Sequence, residues 1–573
     1  MRERLGNLRR IGTATLWPAH PKLSVGCATC GAMVGAEEVF EAIAARVRAT
    51  GLDLRVTRTG CTGHCAEEPL VHVEIPGRPR VTYRKVTTSK ARDLVDAVGR
   101  GELPADGVLQ AIDREENLLD KSVHVWGPPD KSLAGPHPFY ARQQRLSLRN
   151  CGMVNPRSLE EYLARGGYTA LERVLSGMAP EQVIDAVKAS GLRGRGGAGF
   201  PTGVKWGFCR AATGDPKYVI CNADEGNCGS YMDRVLLEGD PYSVLEGMTI
   251  GGYAIGARYG YFYVRAEYPL AVELLGEAIR QAMRNGLLGD DILGTGFSFH
   301  AKVKIGAGAY VCGEETALIS SIEGMAGEPR LRPPFPAQSG LWGKPTNVNN
   351  VKTWSAVPAI VLRGGDWYAS IGSEKSKGTM VFSLAGAINN PGVLEVPLGT
   401  TVKDVIDMAG GVPSGHKLKG VQTGGPGGGI VPANLIDLPL DFEHLNQAGS
   451  AMGSGGIIVM DESVCIVDMV RDFLSFFTAE SCGKCTPCRE GTVQLLHMVD
   501  EIIAGRGKAS DIERMERLSR ILISTSFCGL GQAAPNPLLS SLRYFRYEWD
   551  AHLAGKCPAG RCQGGTCREE DAR

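Results

Sequence analysis

The fold is organised around Gly191-Leu-Arg-Gly-Arg-Gly-Gly-Ala-Gly-Phe-Pro-Thr-Gly-Val-Lys-Trp206. Five of the first nine residues of this stretch are glycine, with two arginines among them and a lysine behind them. Glycine lets a backbone adopt positive φ and approach a ligand closely. The amides of such a loop can surround an anion while the basic side chains neutralise it. The stretch therefore predicts a phosphate-binding loop.

This loop is not expected to be a Rossmann loop. Its glycines fit the Gly-x-Gly-x-x-Gly spacing between Gly194 and Gly199, but a dinucleotide fingerprint follows a strand. The preceding residues 180–189 instead carry apolar side chains at helical spacing, among them Val183 and Val187. A phosphate-holding glycine loop that follows a helix is the prediction.

Residues 148–363 around the loop repeat a pattern of strand, glycine loop and helix, which indicates an α/β domain. The apolar strand Lys217-Tyr-Val-Ile-Cys221 runs into Asn222-Ala-Asp-Glu-Gly226. Ligands of open α/β sheets bind at the ends of strands, so we expect these polar side chains at the binding site.

Two further polar segments follow in the same domain. Glu314 and Glu315 stand at the start of a predicted helix, where they either complement its dipole or serve the site. Asn349 and Asn350 either hydrogen-bond a ring edge or phosphate or occupy an ordinary turn. Their position beside two glycine-rich loops favours a functional role at least as much as a structural one.

Four amphipathic helices are predicted after residue 463, at 464–478, 488–504, 510–524 and 536–552. Cys482, Cys485 and Cys488 lie in the first turn between them, and Cys528 lies in a second glycine-containing turn. Three cysteines at this spacing plus one distant cysteine predict a [4Fe–4S] cluster. A zinc ribbon would need a second pair of cysteines, and Cys528 stands alone.

The first hundred residues alternate helix and strand signals and predict a small α/β domain, with a hairpin at 70–75 and 81–86. Its loops carry Cys27, Cys30, Cys61 and Cys65. Four cysteines in glycine-containing loops suit a [2Fe–2S] cluster and equally an all-cysteine zinc site. The spacing alone leaves both open, with a structural disulfide less favoured.

Composition bounds the remaining possibilities. The 573 residues hold 62 basic and 62 acidic side chains, so a nucleic-acid partner is not expected. No signal peptide and no apolar run of membrane-spanning length is evident, which predicts a cytoplasmic chain. Seventeen cysteines in such a chain indicate metal or redox chemistry.

The predicted organisation is a multidomain α/β protein. Residues 106–147 are proline-rich and predict a linker, and the glycine-laden strands of 371–462 predict a β-grasp-like domain. The full division is 1–105, linker 106–147, α/β domain 148–370, β-grasp-like domain 371–462, helical domain 463–553 and cysteine-containing tail 554–573.

Several motifs together resemble one family. They are the glycine stretch above, Cys221-Asn-Ala-Asp-Glu225, Gly306-Ala-Gly-Ala-Tyr-Val-Cys-Gly-Glu-Glu-Thr316, Pro333-Pro-Phe-Pro-Ala337, Asn347-Val-Asn-Asn-Val351 and Glu480-Ser-Cys-Gly-Lys-Cys-Thr-Pro-Cys-Arg-Glu-Gly-Thr492. In this order they resemble the flavin-bearing, NADH-oxidising subunit of respiratory complex I over residues 150–550.

The N-terminal region resembles the thioredoxin-like [2Fe–2S] domain fused to this subunit in soluble relatives. Leu148-Arg-Asn-Cys-Gly-Met-Val-Asn-Pro156 resembles the same relatives. These include the β subunit of NAD(P)-linked, electron-bifurcating hydrogenases and, less closely, the diaphorase subunit of NAD-dependent formate dehydrogenases. The β-grasp-like region corresponds to the SLBB domain of the family.

The resemblance implies an FMN and a nicotinamide nucleotide. The residues implied for FMN are Gly194, Arg195, Gly196, Gly197, Lys205, Asn222, Asp224, Glu225, Gly313, Glu314, Val348, Asn349, Asn350 and Thr353. Those implied for the nucleotide are Phe200, Phe208, Asn227, Glu315, Arg332 and Phe335, with Glu315 also near the flavin. No side-chain acid or base is implied, because the cofactor carries the chemistry.

Hydride would pass between nucleotide and flavin, and single electrons would pass through the [4Fe–4S] cluster to partner subunits. The implied partners are a small [2Fe–2S] subunit and a large iron–sulfur or catalytic subunit. A soluble hydrogenase is the first expectation, formate dehydrogenase the second and a complex I-type arm the third. A degenerate, partner-binding scaffold is the non-enzymatic alternative.

The sequence departs from the family pattern in three places. Asn227 stands where an acidic residue is usual and Arg332 where lysine is usual, which suggests better use of NADPH. The first cysteine pair, Cys27 and Cys30, is closer than in the family. Near the chain end, Cys557, Cys562, Cys567 and His552 suggest either a small zinc site or a bare thiol-bearing tail.

Overall fold

The structure is a computed structural model that describes residues 2–563 and 566–567, with side chains up to residue 562. The elements of the N-terminal region are α1 (Arg2–Leu16), β1 (Lys22–Gly26), α2 (Thr29–Ala32), α3 (Ala36–Thr50), β2 (Arg55–Thr59), β3 (Val71–Glu74), β4 (Arg80–Tyr83), α4 (Thr88–Gly99) and β5 (Val108–Ile112).

The N-terminal strands form one five-stranded sheet in the order β2-β1-β3-β4-β5. Strands β1 and β2 are parallel, and the other neighbours are antiparallel. The predicted hairpin is confirmed as β3 and β4. The sequence did not anticipate α1, which packs along a helix of the next domain, where a Cβ at Gly12 would meet the Glu160 carbonyl.

The segment 106–147 is more than the predicted connector. Its first strand, β5, pairs with β4 and completes the N-terminal sheet. It then contributes the hairpin β6 (Arg114–Glu116) and β7 (Val123–Val125) and the short helix α5 (Pro138–Ala141). The strands β6 and β7 have three residues each, too few to show a strand periodicity in the sequence, which explains why the hairpin was not predicted.

The central domain alternates helices and strands, as predicted. Its elements are α6 (Leu159–Ala164), α7 (Thr169–Gly177), α8 (Pro180–Ala189), α9 (Thr202–Ala211), β8 (Lys217–Ala223), α10 (Met232–Gly239), α11 (Pro241–Ile255), β9 (Ala257–Arg265), α12 (Pro269–Arg284), β10 (His300–Gly306), α13 (Glu315–Ile322), β11 (Thr346–Asn350), α14 (Val351–Arg363) and α15 (Gly365–Ala369).

The four strands of this domain form a wholly parallel sheet in the order β10-β9-β8-β11. Helix α11 is buried along almost its whole length, and α14 packs beside it. Because parallel strands all end at the same edge, the segments that follow β8 and β11 lie next to each other. The glycine loop joins α8 to α9, so the expectation of a helix rather than a strand before it is confirmed.

The third domain is a small mixed sheet. Its elements are β12 (Thr379–Gly386), β13 (Gly392–Pro397), α16 (Val402–Met408), β14 (Leu418–Thr423), β15 (Ile430–Pro432), α17 (Phe442–Gln447) and β16 (Gly456–Asp461). The strand order is β13-β12-β16-β14-β15, with β12 and β16 parallel at the centre. A core of its own, including Phe382, Leu394 and Val459, holds α16 against this sheet.

The C-terminal domain is helical, with α18 (Ile466–Glu480), α19 (Thr486–Ile503), α20 (Ala509–Thr525), α21 (Gly529–Ala533), α22 (Asn536–Tyr544) and α23 (Arg546–Leu553), followed by β17 (Cys562–Gln563) and β18 (Thr566–Cys567). The predicted single helix 536–552 is wrong, because the chain bends at Phe545. This residue leaves helical geometry, with φ −126° and ψ 32°, and its ring is buried.

None of the helices in the described part of the chain is long and apolar enough to cross a membrane.

Candidate functional site

The glycine loop is closed at its base and open at its tip. Arg193 and Pro201 form an isolated bridge, and the amide of Gly194 donates to the Phe200 carbonyl at 2.9 Å. Gly197 has φ of +126°, which other residues rarely adopt. At Gly196 an added Cβ would lie 3.1 Å from that of Asn350. Glycine is therefore required for the loop to approach the strand ends so closely.

The two arginines of the loop face away from its open side. The Arg195 guanidinium is buried and donates to the carbonyls of Thr379 and Lys377 and to the hydroxyl of Tyr368. Arg193 forms an ion pair with Glu443 at 2.6 Å. Both side chains thus fix the loop to the third domain, and the amides of Gly196 and Gly197 and the ammonium of Lys205 are left to meet an anion.

The ends of β8 and β11 bring the predicted polar segments together. Asn350 is paired with Asn222 in the parallel register. The Asn222 amide donates to the Gly313 carbonyl at 2.9 Å, and that of Asn350 donates to the Asp233 carboxylate at 2.5 Å. Three segments far apart in sequence therefore meet at one sheet edge, as the α/β pattern predicted.

Lys205 lies at the centre of this edge. Its ammonium donates to the Glu315 carboxylate at 2.6 Å and to the Val348 carbonyl at 2.9 Å. Arg332 lies 3.5 Å from Glu315 and 3.8 Å from Glu314. Burial opposes ionisation of Glu315, but Lys205 and Arg332 outweigh it, so its pKa is lowered. Glu315 is therefore a carboxylate facing two cations.

Glu314 has the structural role that the sequence left open. It caps α13, accepting from the amides of Thr316 and Ala317. Asn349 and Thr353 are also occupied inside the domain: Asn349 accepts from the Trp206 indole at 2.9 Å, and Thr353 accepts from the Arg195 amide at 2.9 Å. These three residues support the shape of the site through their side-chain contacts.

Two buried acids follow β8. Burial raises the pKa of Asp224 to about 7 despite the guanidinium of Arg265 at 3.2 Å. Burial and the neighbouring Asp233 raise the pKa of Glu225 to about 7, although it accepts amide hydrogen bonds at the start of α10. Oδ2 of Asp224 is buried and has no hydrogen-bond partner among the described residues. A ligand donor at this edge would satisfy it.

The aromatic residues assigned to the nucleotide are exposed. Phe200, Phe208 and Phe335 are 48%, 58% and 53% accessible, although solvent exposure of phenylalanine is costly. Phe200 lies at the base of the glycine loop, Phe208 on α9 and Phe335 on the proline-rich loop. Asn227, by contrast, donates to Ser454 of the third domain at 2.8 Å. Exposed rings beside an anion loop can stack on a planar ligand.

The four C-terminal cysteines surround one small cavity. Cys482, Cys485, Cys488 and Cys528 line it together with Val311, Pro329, Ser481, Lys484, Phe527 and Leu530. Cys485 precedes α19, and Cys528 precedes α21, so two helix starts present the thiols. The structure thus brings together the four residues predicted for a [4Fe–4S] cluster.

The turn Tyr310–Gly313 joins this cavity to the sheet edge. The Tyr310 amide donates to Glu480 of α18 at 2.9 Å, and its ring packs edge-on against Phe476 at 5.0 Å. Val311 of the same turn lines the cysteine cavity, while the Gly313 carbonyl binds Asn222. One turn of backbone therefore separates the two sites.

The N-terminal cysteines do not form the expected set of four. Cys65 adjoins both Cys30 and Cys61, and these contacts, with burial, raise its pKa well above the usual value. Cys27 turns away, with its thiol 3.9 Å from the Ala36 carbonyl, and it lines an interdomain cavity of about 310 Å³ with Arg58 and Arg157. Sequence spacing could not reveal this, because it does not report side-chain direction.

The central domain contributes to this thiol site in a way that the sequence did not predict. Nη2 of Arg234, on α10, lies 3.2 Å from the Cys30 sulfur. Glu238 of the same helix accepts from the amide and hydroxyl of Thr29. The amide of Arg234 also donates to Glu225. Helix α10 therefore connects the N-terminal thiols with the strand end of β8.

The chain end contains a further cluster, and its membership corrects the prediction. His552, Cys557 and Cys562 come together as expected, and the buried Cys465 joins them, with the four ligand atoms within 4.8 Å of one another. Cys465 lies 3.7 Å from Cys562 and 3.5 Å from Nε2 of His552. The side chain of Cys567 lies outside the described residues.

The hydrogen bonds of this cluster favour metal binding. Contact with Cys562, and to a lesser degree with His552, lowers the pKa of Cys465 to about 4 against the effect of burial. Nδ1 of His552 lies 2.7 Å from the Glu548 carbonyl. A backbone carbonyl on Nδ1 orients the ring so that Nε2 is available for a metal.

Three family models match this chain. Residues 187–359 match the Nuo51 FMN-binding domain, residues 381–431 match the SLBB domain, and residues 468–552 match the NADH-ubiquinone oxidoreductase-F iron-sulfur binding region. The first match contains the glycine loop and the strand ends, and the last contains the four C-terminal cysteines. The open loop amides, Lys205 and the unpartnered Asp224 oxygen fit a phosphorylated ring cofactor such as FMN.

Curated relatives and solved structures agree with these matches. The chain is 53% identical to the HndC subunit of the NADP-reducing hydrogenase of Solidesulfovibrio fructosivorans, over 74% of this chain and 86% of the relative. It is 44% identical to the F 2 subunit of the NADH-quinone oxidoreductase of Rhizobium meliloti (strain 1021), over 72% of this chain and 98% of the relative.

A chain of the NAD+-reducing [NiFe]-hydrogenase in the H2-reduced state superimposes with a TM-score of 0.65 at 30% identity, covering 96% of this chain and 90% of that one. The protein therefore belongs to the family of FMN- and [4Fe–4S]-binding NAD(P)H oxidoreductase subunits that includes the F subunits of NADH-quinone oxidoreductases and the hydrogenase subunit HndC.

Proposed function

We propose that this chain is the nicotinamide-nucleotide-reacting module of a soluble, cytoplasmic hydrogenase complex. The turn Tyr310–Gly313 carries the proposal, because it contacts Asn222, which we assign to the flavin, and lines the cysteine cavity through Val311. FMN, when bound, exchanges hydride with the nucleotide and single electrons with an iron–sulfur cluster. Cys482, Cys485, Cys488 and Cys528 would hold that cluster.

The chain's own residues bind and orient the two ligands. The amides of Gly196 and Gly197, together with Lys205, would meet the FMN phosphate, whereas the Gly194 amide closes the base of the loop. Asn222, Asn350 and Asp224 would meet polar atoms of the flavin. Phe200, Phe208 and Phe335 are exposed where they can cover the nucleotide. Glu315, held as a carboxylate by two cations, would hydrogen-bond a ligand hydroxyl or amide.

The proposal includes use of NADP(H). Asn227 stands where the family pattern has an acidic residue, so one negative charge is absent. Arg332, which stands where lysine is usual, lies 3.5 Å from Glu315 and supplies a bidentate donor. The relative HndC is named as part of an NADP-reducing hydrogenase. We expect Asn227→Asp to lower kcat/KM for NADPH and to leave that for NADH within about threefold. An unchanged NADPH/NADH ratio would rule this assignment out.

A hydrogenase is the proposed partner, because HndC and the superimposed chain both come from hydrogenases by name. A small [2Fe–2S] subunit and a large iron–sulfur or catalytic subunit would complete the complex. A complex I-type arm is the alternative favoured by the NADH-quinone oxidoreductase relatives. Co-purification of the native complex with hydrogen-dependent reduction of NADP+ or NAD+ distinguishes the two.

The N-terminal domain is proposed to be thioredoxin-like and to hold a [2Fe–2S] cluster. One parallel and three antiparallel strand pairs in a single sheet, with α3 and α4 in contact, support the fold. The contact of Arg234 with Cys30 supports a redox role, because the Arg234 amide also donates to Glu225 at the strand end of β8, where the flavin is proposed to bind.

The Cys465, His552, Cys557 and Cys562 cluster is proposed to hold zinc. Tetrahedral zinc with Zn–S bonds of ~2.3 Å separates two sulfur ligands by about 3.8 Å, and Cys465 and Cys562 lie 3.7 Å apart. The end of the chain and the start of α18 would then be joined by one ion.

Anaerobic addition of NADH or NADPH to the purified chain tests the central proposal. We expect loss of the yellow flavin absorbance, followed by an EPR signal from a reduced [4Fe–4S] cluster. A folded, iron-replete chain that neither contains nor takes up FMN would contradict the proposal. A scaffold without turnover would keep its colour when nucleotide is added.

A further inference from the structure

The N-terminal thiol site contains a fourth group that is not cysteine. Glu68 follows Cys65 by three residues, and its side chain is almost completely buried. Its Oε2 accepts from the Leu70 amide at 2.8 Å. Its Oε1 is buried and accepts no hydrogen bond from any residue that the structure describes. An unpartnered carboxylate oxygen in a protein interior is costly unless it binds a cation or a donor.

The backbone around Glu68 leaves space for its carboxylate next to the cysteines. A Cβ at Gly26 or at Gly31 would lie 3.3 Å from Oε2 of Glu68, and at Gly31 it would also lie 2.2 Å from the Gly26 carbonyl. Gly31 directly follows Cys30. The thiol of Cys61 adjoins the same carboxyl. The carboxylate therefore lies against the backbone on both sides of Cys30 and beside Cys61.

The spacing of the thiols suits a cluster better than a single ion. In the described chain, two groups of ligand atoms lie entirely within 4.8 Å of one another, namely the Cys465 cluster and the exposed His416, Asp461 and Glu462. The N-terminal thiols belong to neither group, although Cys65 contacts both Cys30 and Cys61. The four ligands of one zinc ion must all lie close to one another. The ligands of a [2Fe–2S] cluster are divided between two irons and therefore lie farther apart.

We propose that the N-terminal cluster is held by Cys30, Cys61, Cys65 and the carboxylate of Glu68, with Cys27 outside the ligand set. This rests on the proposed [2Fe–2S] function of the domain and specifies its ligands. Arg234 is a positioning residue, because its guanidinium donates to the Cys30 sulfur and lies over Tyr231 and Tyr268. A cation beside a sulfur ligand favours the thiolate.

The test compares iron, acid-labile sulfide and dithionite-reduced EPR spectra of the full-length chain and its variants. About six iron atoms per chain correspond to one [4Fe–4S] and one [2Fe–2S] cluster. We expect Cys27→Ser to keep all six and the wild-type spectrum. The iron content should fall to about four atoms per chain in each of the variants Cys30→Ser, Cys61→Ser and Cys65→Ser.

Glu68→Gln has nearly the shape of the wild-type side chain but no anionic ligand. It should lose the [2Fe–2S] signal or shift its g values, and Glu68→Cys should restore about six irons with a different spectrum. Retained FMN and [4Fe–4S] signals show that each variant has folded. A wild-type spectrum in Glu68→Gln, or a lost signal in Cys27→Ser, overturns the ligand assignment.

The wild-type chain could instead contain only about four irons and show a [4Fe–4S] signal alone. That result would overturn the proposed [2Fe–2S] function and the ligand assignment with it. Zinc in place of the missing iron would overturn both in the same way.

Discussion

Nζ of Lys205 lies 2.6 Å from Oε2 of Glu315, and each side chain is about one-fifth exposed. The two residues come from α9 and α13, which the sequence places 110 positions apart. The pair joins the glycine loop side of the site to the turn that adjoins the cysteine cavity. Its disruption should therefore affect both the stability of the site and the binding of its cofactor.

Lys205→Met leaves Glu315 with Arg332 as its nearest cation, at 3.5 Å. We expect a loss of ~2 kcal/mol in the free energy of unfolding, below the ~3–5 kcal/mol of a fully buried pair because water screens this one. FMN content should fall as well, whereas Lys205→Arg should retain most of it. The double variant Lys205→Met/Glu315→Gln separates the roles: stability should return, and FMN binding should not.

Gly199 is expected to be essential to the loop. It has φ of +63°, and an added Cβ would lie 2.6 Å from the Phe442 ring. Gly199→Ala should destabilise the chain by ~1–3 kcal/mol and lower FMN content at least tenfold, measured by flavin extraction. Gly177→Ala is the matched control, because nothing lies within 4 Å of its Cβ position. Equal FMN content in the two variants would show that the loop tolerates a side chain.

The buried Asp224 predicts a pH dependence of stability. Its pKa is raised by burial from 3.8 to about 7, so the folded state retains a proton that the unfolded state has lost. The contribution of this group to stability is therefore highest below pH ~4 and falls as the pH rises towards 7, by ~1.4 kcal/mol for each unit of pKa shift.

Asp224→Asn should flatten the fall in Tm of the flavin-free chain between pH 5 and pH 8, measured by calorimetry. A slope remains, because the pKa of Glu225 is raised in the same direction. Asp437→Asn, at an exposed carboxylate, should leave the profile unchanged. An Asp224→Asn profile as steep as that of the wild type would contradict the assignment.

If the Cys465 cluster binds zinc, the zinc content and the Tm of the helical domain should depend on residues at both ends of that domain. Cys465→Ser and His552→Ala should each remove about one zinc per chain and lower the Tm of this domain by about 5–10 °C. Cys228→Ser removes an exposed thiol and should change neither quantity. The measurement is zinc by elemental analysis after gel filtration, and full occupancy in Cys465→Ser would exclude that ligand.

Because the four cysteines line a cavity of their own, we expect that the cluster can be removed while the flavin is still reduced by NADH. Cys528→Ser should lose about four irons per chain and the [4Fe–4S] EPR signal while the flavin is still bleached by NADH. We expect electron delivery to the proposed partner subunits to stop, because Cys528 lines the same cavity as Val311 of the turn Tyr310–Gly313. Loss of FMN along with the iron would show that the two sites are not independent.

Much of the site could be predicted from local patterns. The glycine loop, the strand predicted at Lys217–Cys221 and the helix Pro269–Arg284 depend on residue types at fixed spacing, and the structure confirms them, with the strand extended to Ala223. The four C-terminal cysteines were likewise recognised from spacing, and they line one cavity. Local order can be predicted because periodicity and glycine content act over a few residues.

Side-chain direction and long-range contact could not be predicted in this way. The sequence suggests Arg195 as a phosphate ligand, yet its guanidinium binds carbonyls of the third domain. It suggests Cys27 as the partner of Cys30, yet Cys27 faces another cavity. Cys465 has the sequence context of an ordinary buried thiol and lies 3.5 Å from His552, 87 positions away.

The sequence by itself determined the family chemistry of this protein: an anion loop of glycines, polar strand ends and a four-cysteine cluster motif, all of which depend on neighbours along the chain. Tertiary structure alone decided which atoms meet across domains, namely Arg234 with Cys30, Glu68 with the N-terminal thiols and Cys465 with the chain end. Those contacts depend on how packed elements orient their side chains, and no spacing in a sequence records that orientation.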